Sequence, residues 1–179
     1  VVVVDDPLTV LTTYLYERDS GSVTKLFDQR PALAGAPLAP MTPLEIKSRD
    51  GLTLVSYLTL PKGSDANGDG RPDRPLPLVL NVHGGPWARD AYGFDAEHQW
   101  LANRGYAVLS VNYRGSTGFG KRFIHAGNLE WAAKMHDDLI DAIDYAVREK
   151  ITTADSVAIY GGSYGGYAAL VGLTFTPER

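Results

Sequence analysis

The sequence predicts an α/β protein: a mostly parallel sheet with helices on both faces, preceded by a short all-β piece. Three observations carry this. Nearly continuous apolar runs at Leu76 to Val82, Tyr106 to Val111 and Val157 to Tyr160 read as strands buried on both faces. Helical patterns separate them, as a parallel sheet requires. Before residue 40 the pattern is strand and turn with no helix.

In chain order, Val1-Val2-Val3-Val4 has the composition of a buried strand, with no initiator Met and no basic segment before it, so it is not a signal peptide. Thr13 to Tyr16 and Val23 to Phe27 are short β-rich runs, and Arg18 to Ser22 between them supplies a turn. Such a hairpin is marginal in water and calls for further strands. Prolines 31, 37, 40 and 43 mark a linker, which sets two units at 1–40 and 41–179. Leu44 to Lys47 and Leu52 to Leu60 flank the Asp50-Gly51 turn and predict an antiparallel pair. Phe94 to Arg104 reads as a helix. Met135, Leu139, Ile140, Ile143 and Val147 recur at helical spacing, with Asp137 and Asp138 early and Arg148 and Lys150 late, as the helix dipole favours. Ala168 to Phe175 is a helix apolar on nearly all sides, read as central core rather than membrane.

Composition narrows the partners. A net charge of −4 gives no reason to expect nucleic acid or an anionic membrane. No apolar run approaches the roughly 20 residues of a spanning helix. With no cysteine there is no disulfide framework or thiolate zinc site, and the compartment stays open between cytoplasm and periplasm.

Chemistry concentrates in Gly161-Gly162-Ser163-Tyr164-Gly165-Gly166-Tyr167, a G-x-S-x-G pattern between a strand and a helix. A serine at the apex of a sharp strand-to-helix turn needs small neighbours, and the helix starting there aims free N–H groups at a reacting atom. His83-Gly84-Gly85-Pro86-Trp87 follows the strand ending at Val82. Its glycine pair exposes backbone N–H groups. Acyl transfer through Ser163 needs two donors for the oxyanion, and the candidates are the N–H of Tyr164 and that of Gly84 or Gly85. Asn112-Tyr113-Arg114-Gly115-Ser116-Thr117-Gly118-Phe119-Gly120 ends the strand from Tyr106, on the same sheet edge. Its glycine order fits neither the dinucleotide nor the P-loop template, so no cofactor is expected. Arg114 contacts substrate or makes an internal salt bridge. Asp65, Asn67, Asp69, Gly70 and Asp73 imitate a calcium loop, but Leu76 stands where it needs a glutamate, and the stretch is equally a good turn; no metal is expected at the active site. Trp87 and Trp131 either line a substrate pocket or pack in the core.

Together these segments resemble the prolyl oligopeptidase family of serine peptidases, in its acylaminoacyl-peptidase and dipeptidyl-aminopeptidase-like branch. The stretches 83–86, 104–108, 112–120 and 161–167 come in the family's order. The resemblance implies an α/β-hydrolase domain, here its N-terminal half, preceded by the last strands of a β-propeller. It implies Ser163 as nucleophile, an oxyanion hole from Tyr164 with Gly84 or Gly85, and short peptides as substrates. Some members place a tyrosine hydroxyl where His83 stands, so the imidazole is open to an oxyanion contact or, the favoured reading, a structural hydrogen bond. The family's triad Asp and His follow the serine, whereas all four histidines here precede it and 16 residues follow it. The chain therefore reads as part of a longer protein whose missing half completes the site. His98, His125 and His136 are expected at the surface. The rival readings are an esterase or lipase of the same fold and an inactive fragment that serves as a binding piece. An unpaired sheet edge is expected to promote self-association of the chain.

Overall fold

β-Branched and aromatic residues near the N-terminus set a three-stranded antiparallel sheet in the computed structural model, which describes residues 1–178. Its strands are β1 (Val2–Val4), β2 (Thr12–Tyr16) and β3 (Val23–Asp28), in that order. Gly21, at φ 67°, closes the β2–β3 turn by donating to the Glu17 carbonyl. The buried-strand expectation for the opening valines fails. All of β1 is exposed, because no layer of the described residues covers it; propensity makes a strand, but burial needs a facing layer. A 3₁₀ turn at Pro31–Leu33 follows. The N-terminal piece is then tied to what comes after. The Gln99 amide exchanges 2.8 Å hydrogen bonds with both backbone groups of Ala39, and Asp5 accepts from the Phe94 N–H.

The second sheet comprises β4 (Met41–Lys47), β5 (Thr53–Thr59), β6 (Leu78–Asn81), β7 (Ala107–Val111) and β8 (Val157–Tyr160), in the order β4-β5-β7-β6-β8. Four strands run one way and β5 alone opposes them, being antiparallel to both β4 and β7. The period of two divides the faces. Leu78, Leu80, Ala107 and Leu109 look toward α3 (Lys134–Arg148) and α4 (Tyr164–Phe175) in the main core. Val79 and Val108 look the other way, onto Leu101 of α1 (Ala96–Ala102). Helices thus cover both faces. α1 is shorter than expected because Asp95 caps it by accepting the His98 N–H at 2.8 Å, and Gly105 at φ 91° turns the chain after it. A five-residue helix, α2 (Lys121–His125), follows the 112–120 loop.

Two further expectations are corrected. His98 and His136 are buried, because α1 and α3 turn those positions inward. Two strand hydroxyls, Thr59 Oγ1 at 2.9 Å and Ser110 Oγ at 2.6 Å, satisfy the His98 ring, and Thr176 Oγ1 lies 2.9 Å from His136 Nε2. His125 is exposed. α4 is not enclosed core: Tyr164, Ala168 and Val171 are buried on the side that meets α3 and β8, but Leu170, Leu173 and Phe175 are exposed. No described helix is long and apolar enough to cross a membrane.

Candidate active site

The end of β8 and the start of α4 meet at Ser163, which stands just before the first helical turn at φ 54°, ψ −118°. A residue with a Cβ populates that region rarely, so the turn holds strain of about 1–3 kcal/mol. The flanking glycines explain how the turn closes. A Cβ on Gly161 would lie 2.3 Å from the Val82 carbonyl oxygen, and one on Gly165 would lie 2.1 Å from the same atom. Val82 follows β6, and its N–H donates to the Tyr160 carbonyl at 2.8 Å, so the turn is pressed against the neighbouring strand. Ser163 itself is exposed, and no hydrogen bond from another described residue reaches its hydroxyl.

The His83–Pro86 segment lies on the other side of this serine. A Cβ on Gly84 would stand 3.3 Å from Ser163 Cβ and 3.8 Å from its Oγ. Gly85 has φ 129°, and the Gly85–Pro86 peptide is cis. The His83 imidazole has partners on both ring nitrogens. Its Nδ1 lies 2.8 Å from the Gly84 carbonyl oxygen, and Nε2 faces Ser116 Oγ at 3.0 Å. Burial holds the ring below its ordinary pKa, which favours its neutral form. With the Gly84 carbonyl held on one edge of its trans peptide, the Gly85 N–H points the opposite way. The Tyr164 N–H opens α4 and has no acceptor within the helix.

An aromatic stack joins the two halves. Tyr113 is fully buried between His83, centroids 4.5 Å apart, and Tyr164, 5.1 Å apart. Its hydroxyl donates to the His83 carbonyl at 2.9 Å. Burial drives the phenols of Tyr113 and Tyr164 above their usual range. Trp131 meets Tyr164 edge-on and leans against Tyr167, with about half its surface exposed; Trp87 is exposed.

Arg114 is 4% exposed and takes no part in an open surface. Its Nε and Nη2 bind the Asp138 carboxylate at 2.9 and 2.8 Å, and Nη1 and Nη2 bind Asp50 at 2.9 and 2.8 Å. The guanidinium, helped by Ser48, holds Asp50 well below the usual carboxylate range. Burial pushes Asp138 up, against the hydrogen bonds from Arg114. The sequence reading missed both carboxylates. Asp138 shares the inward stripe of Met135, Leu139 and Ala142, and that periodicity was the available signal.

In the 65–73 loop the oxygens serve the backbone. Asp65 accepts from the N–H groups of Gly68, Asp69 and Gly70 at 2.8, 3.1 and 2.9 Å, and Asp69 accepts from Arg71. No three His, Cys, Asp or Glu side chains among the described residues are placed to hold a metal.

A profile of the prolyl oligopeptidase family matches residues 92–179. The chain is 68% identical over 168 residues to dipeptidyl aminopeptidase BIII of Pseudoxanthomonas mexicana, covering 94% of this chain and 24% of that protein. It superposes on an acylaminoacyl peptidase of Pyrococcus horikoshii with a TM-score of 0.79 at 25% identity, over 96% of this chain and 27% of that one. An acylaminoacyl peptidase bound to Z-Gly-Gly-Phe-chloromethyl ketone gives a TM-score of 0.80 at 25% identity, over 96% and 27%. The chain spans about a quarter of the length of these relatives.

Proposed function

The chain belongs to the prolyl oligopeptidase family, and from that premise we propose that it supplies the nucleophile and the oxyanion hole of a serine peptidase acting on short peptides. Ser163 Oγ attacks the scissile carbonyl and forms the acyl-enzyme, and water then releases the acyl group. The charge that develops on the carbonyl oxygen is held by the Tyr164 N–H and by the 84–85 turn, with Gly85 the favoured donor because the Gly84 carbonyl is tied to His83. Ser163 carries the assignment: it is exposed at the head of a helix with Gly84 packed against it.

The general base lies outside these residues. The rings of His83, His98 and His136 are engaged with Ser116, Thr59, Ser110 and Thr176, and in this fold the acid and base follow the serine in the chain. The names of the relatives favour dipeptidyl or acylaminoacyl release from the N-terminus of a short peptide. The residues N-terminal to 41 serve as the end of a propeller, and 41–179 as the first part of the catalytic domain.

The test is labelling of the whole protein with a fluorophosphonate, site mapping by mass spectrometry, and assay on dipeptidyl and acylaminoacyl anilides. Label on Ser163 with amide cleavage supports the proposal. An unlabelled Ser163 overturns it, and turnover of short acyl esters without amide cleavage makes the protein an esterase.

A further inference from the structure

We propose that Tyr113 is a positioning residue that sets the gap between the two halves of the oxyanion hole; this rests on the reading of Ser163 given above. The two donors come from segments far apart in sequence, the 83–86 turn and the first turn of α4. They must keep a fixed separation, because both have to lie within hydrogen-bond reach of one oxygen. A single buried ring spans that gap: His83, Tyr113 and Tyr164 form one continuous stack. The Tyr113 hydroxyl also grips the backbone on one side, donating to the His83 carbonyl, one residue before the glycine pair.

Tyr113 is itself fixed. Its carbonyl accepts from the Ser116 N–H at 3.0 Å and from Ser116 Oγ at 2.6 Å. The same Ser116 hydroxyl meets His83 Nε2, so ring and turn share one anchor. The next residue, Arg114, is clamped by two carboxylates. Tyr113 therefore behaves as a rigid spacer. It reaches the reaction only through the backbone of its neighbours and touches no substrate.

The whole protein carrying Tyr113→Phe or Tyr113→Leu tests this. Phe keeps the stack and loses the grip on the carbonyl; Leu loses both. Concentrations are normalised to the end-point stoichiometry of fluorophosphonate on Ser163, so misfolded molecules do not count. Per labelled site, kcat is expected to fall about 5-fold in the Phe variant and about 30-fold or more in the Leu variant, with KM within about 2-fold of wild type. Affinity for a peptidyl trifluoromethyl ketone, which forms a tetrahedral adduct, is expected to fall by the same factors. Unchanged kcat per labelled site in the Phe and Leu variants, or a raised KM at constant kcat, overturns the proposal while leaving the nucleophile in place. If Leu does not fold, the Phe variant decides alone. Absence of label on wild-type Ser163 overturns the underlying reading as well.

Discussion

The Gly165 backbone and the carbonyl of Val82 are so close that a methyl group at 165 would sit 2.1 Å from that oxygen. Gly165→Ala must therefore push α4 off β6, and so must Gly161→Ala, whose methyl meets the same oxygen at 2.3 Å. Each is expected to destabilise by about 3 kcal/mol, at the upper end for overpacking. Gly162→Ala is the control, since nothing lies within 4 Å of its Cβ position; its effect should stay within about 0.5 kcal/mol. Urea midpoints of the three variants check this.

Ser163 holds φ at 54° with a Cβ in place. Ser163→Ala keeps that strain and is expected to lose at least about 10⁴-fold in kcat, the scale of removing a nucleophile. Ser163→Gly should be as inactive but more stable than wild type by about 1 kcal/mol, because glycine accepts the conformation freely. A higher Tm for Gly than for Ala is the result to look for.

Arg114 neutralises a carboxylate that has no access to water, Asp138 at 0% exposure. Arg114→Met strands that charge and should cost about 3–5 kcal/mol. Arg114→Lys should recover little, because an ammonium cannot form the two bidentate contacts. Asp50 sets a pH signature. Its pKa is depressed in the fold, so its contribution is complete above the unfolded value of about 3.9 and is lost as pH falls through the folded value. Asp50→Asn should flatten that acid limb in a denaturation series from pH 6 to 2.

Asp90 behaves in the opposite sense. One of its carboxylate oxygens is buried without a partner, and burial, with Asp95 and Glu97 nearby, raises its pKa to about 7. Protons bind the folded form more tightly, so stability falls as pH rises from about 4 to about 7 and then levels off. Asp90→Asn should remove that slope and gain about 1 kcal/mol at pH 8, measurable by thermal melts across the range.

The parts of the molecule governed by local pattern were legible. β8 and the turn into α4 follow from an apolar run, two glycines and a serine, and β4–β5 follow from Asp50-Gly51. What escaped depended on partners distant in the chain. Burial of His98 requires hydroxyls from Thr59 and Ser110, and nothing near position 98 announces them. Exposure of the opening valines and of Leu170, Leu173 and Phe175 depends on which layers face them, and composition does not encode that. Tyr113 stood inside a motif read for its arginine and glycines. Its role emerges only when β7 lies between the strands that precede His83 and Ser163 and the β4–β5 hairpin.

Asp50 occupies a hairpin turn at the border of the second sheet, the sort of place where insertions and replacements are ordinarily harmless. It is bolted to Arg114, the residue beside Tyr113. A replacement at this corner therefore removes one of the two carboxylates that hold Arg114, and with it part of what fixes the loop that carries Tyr113.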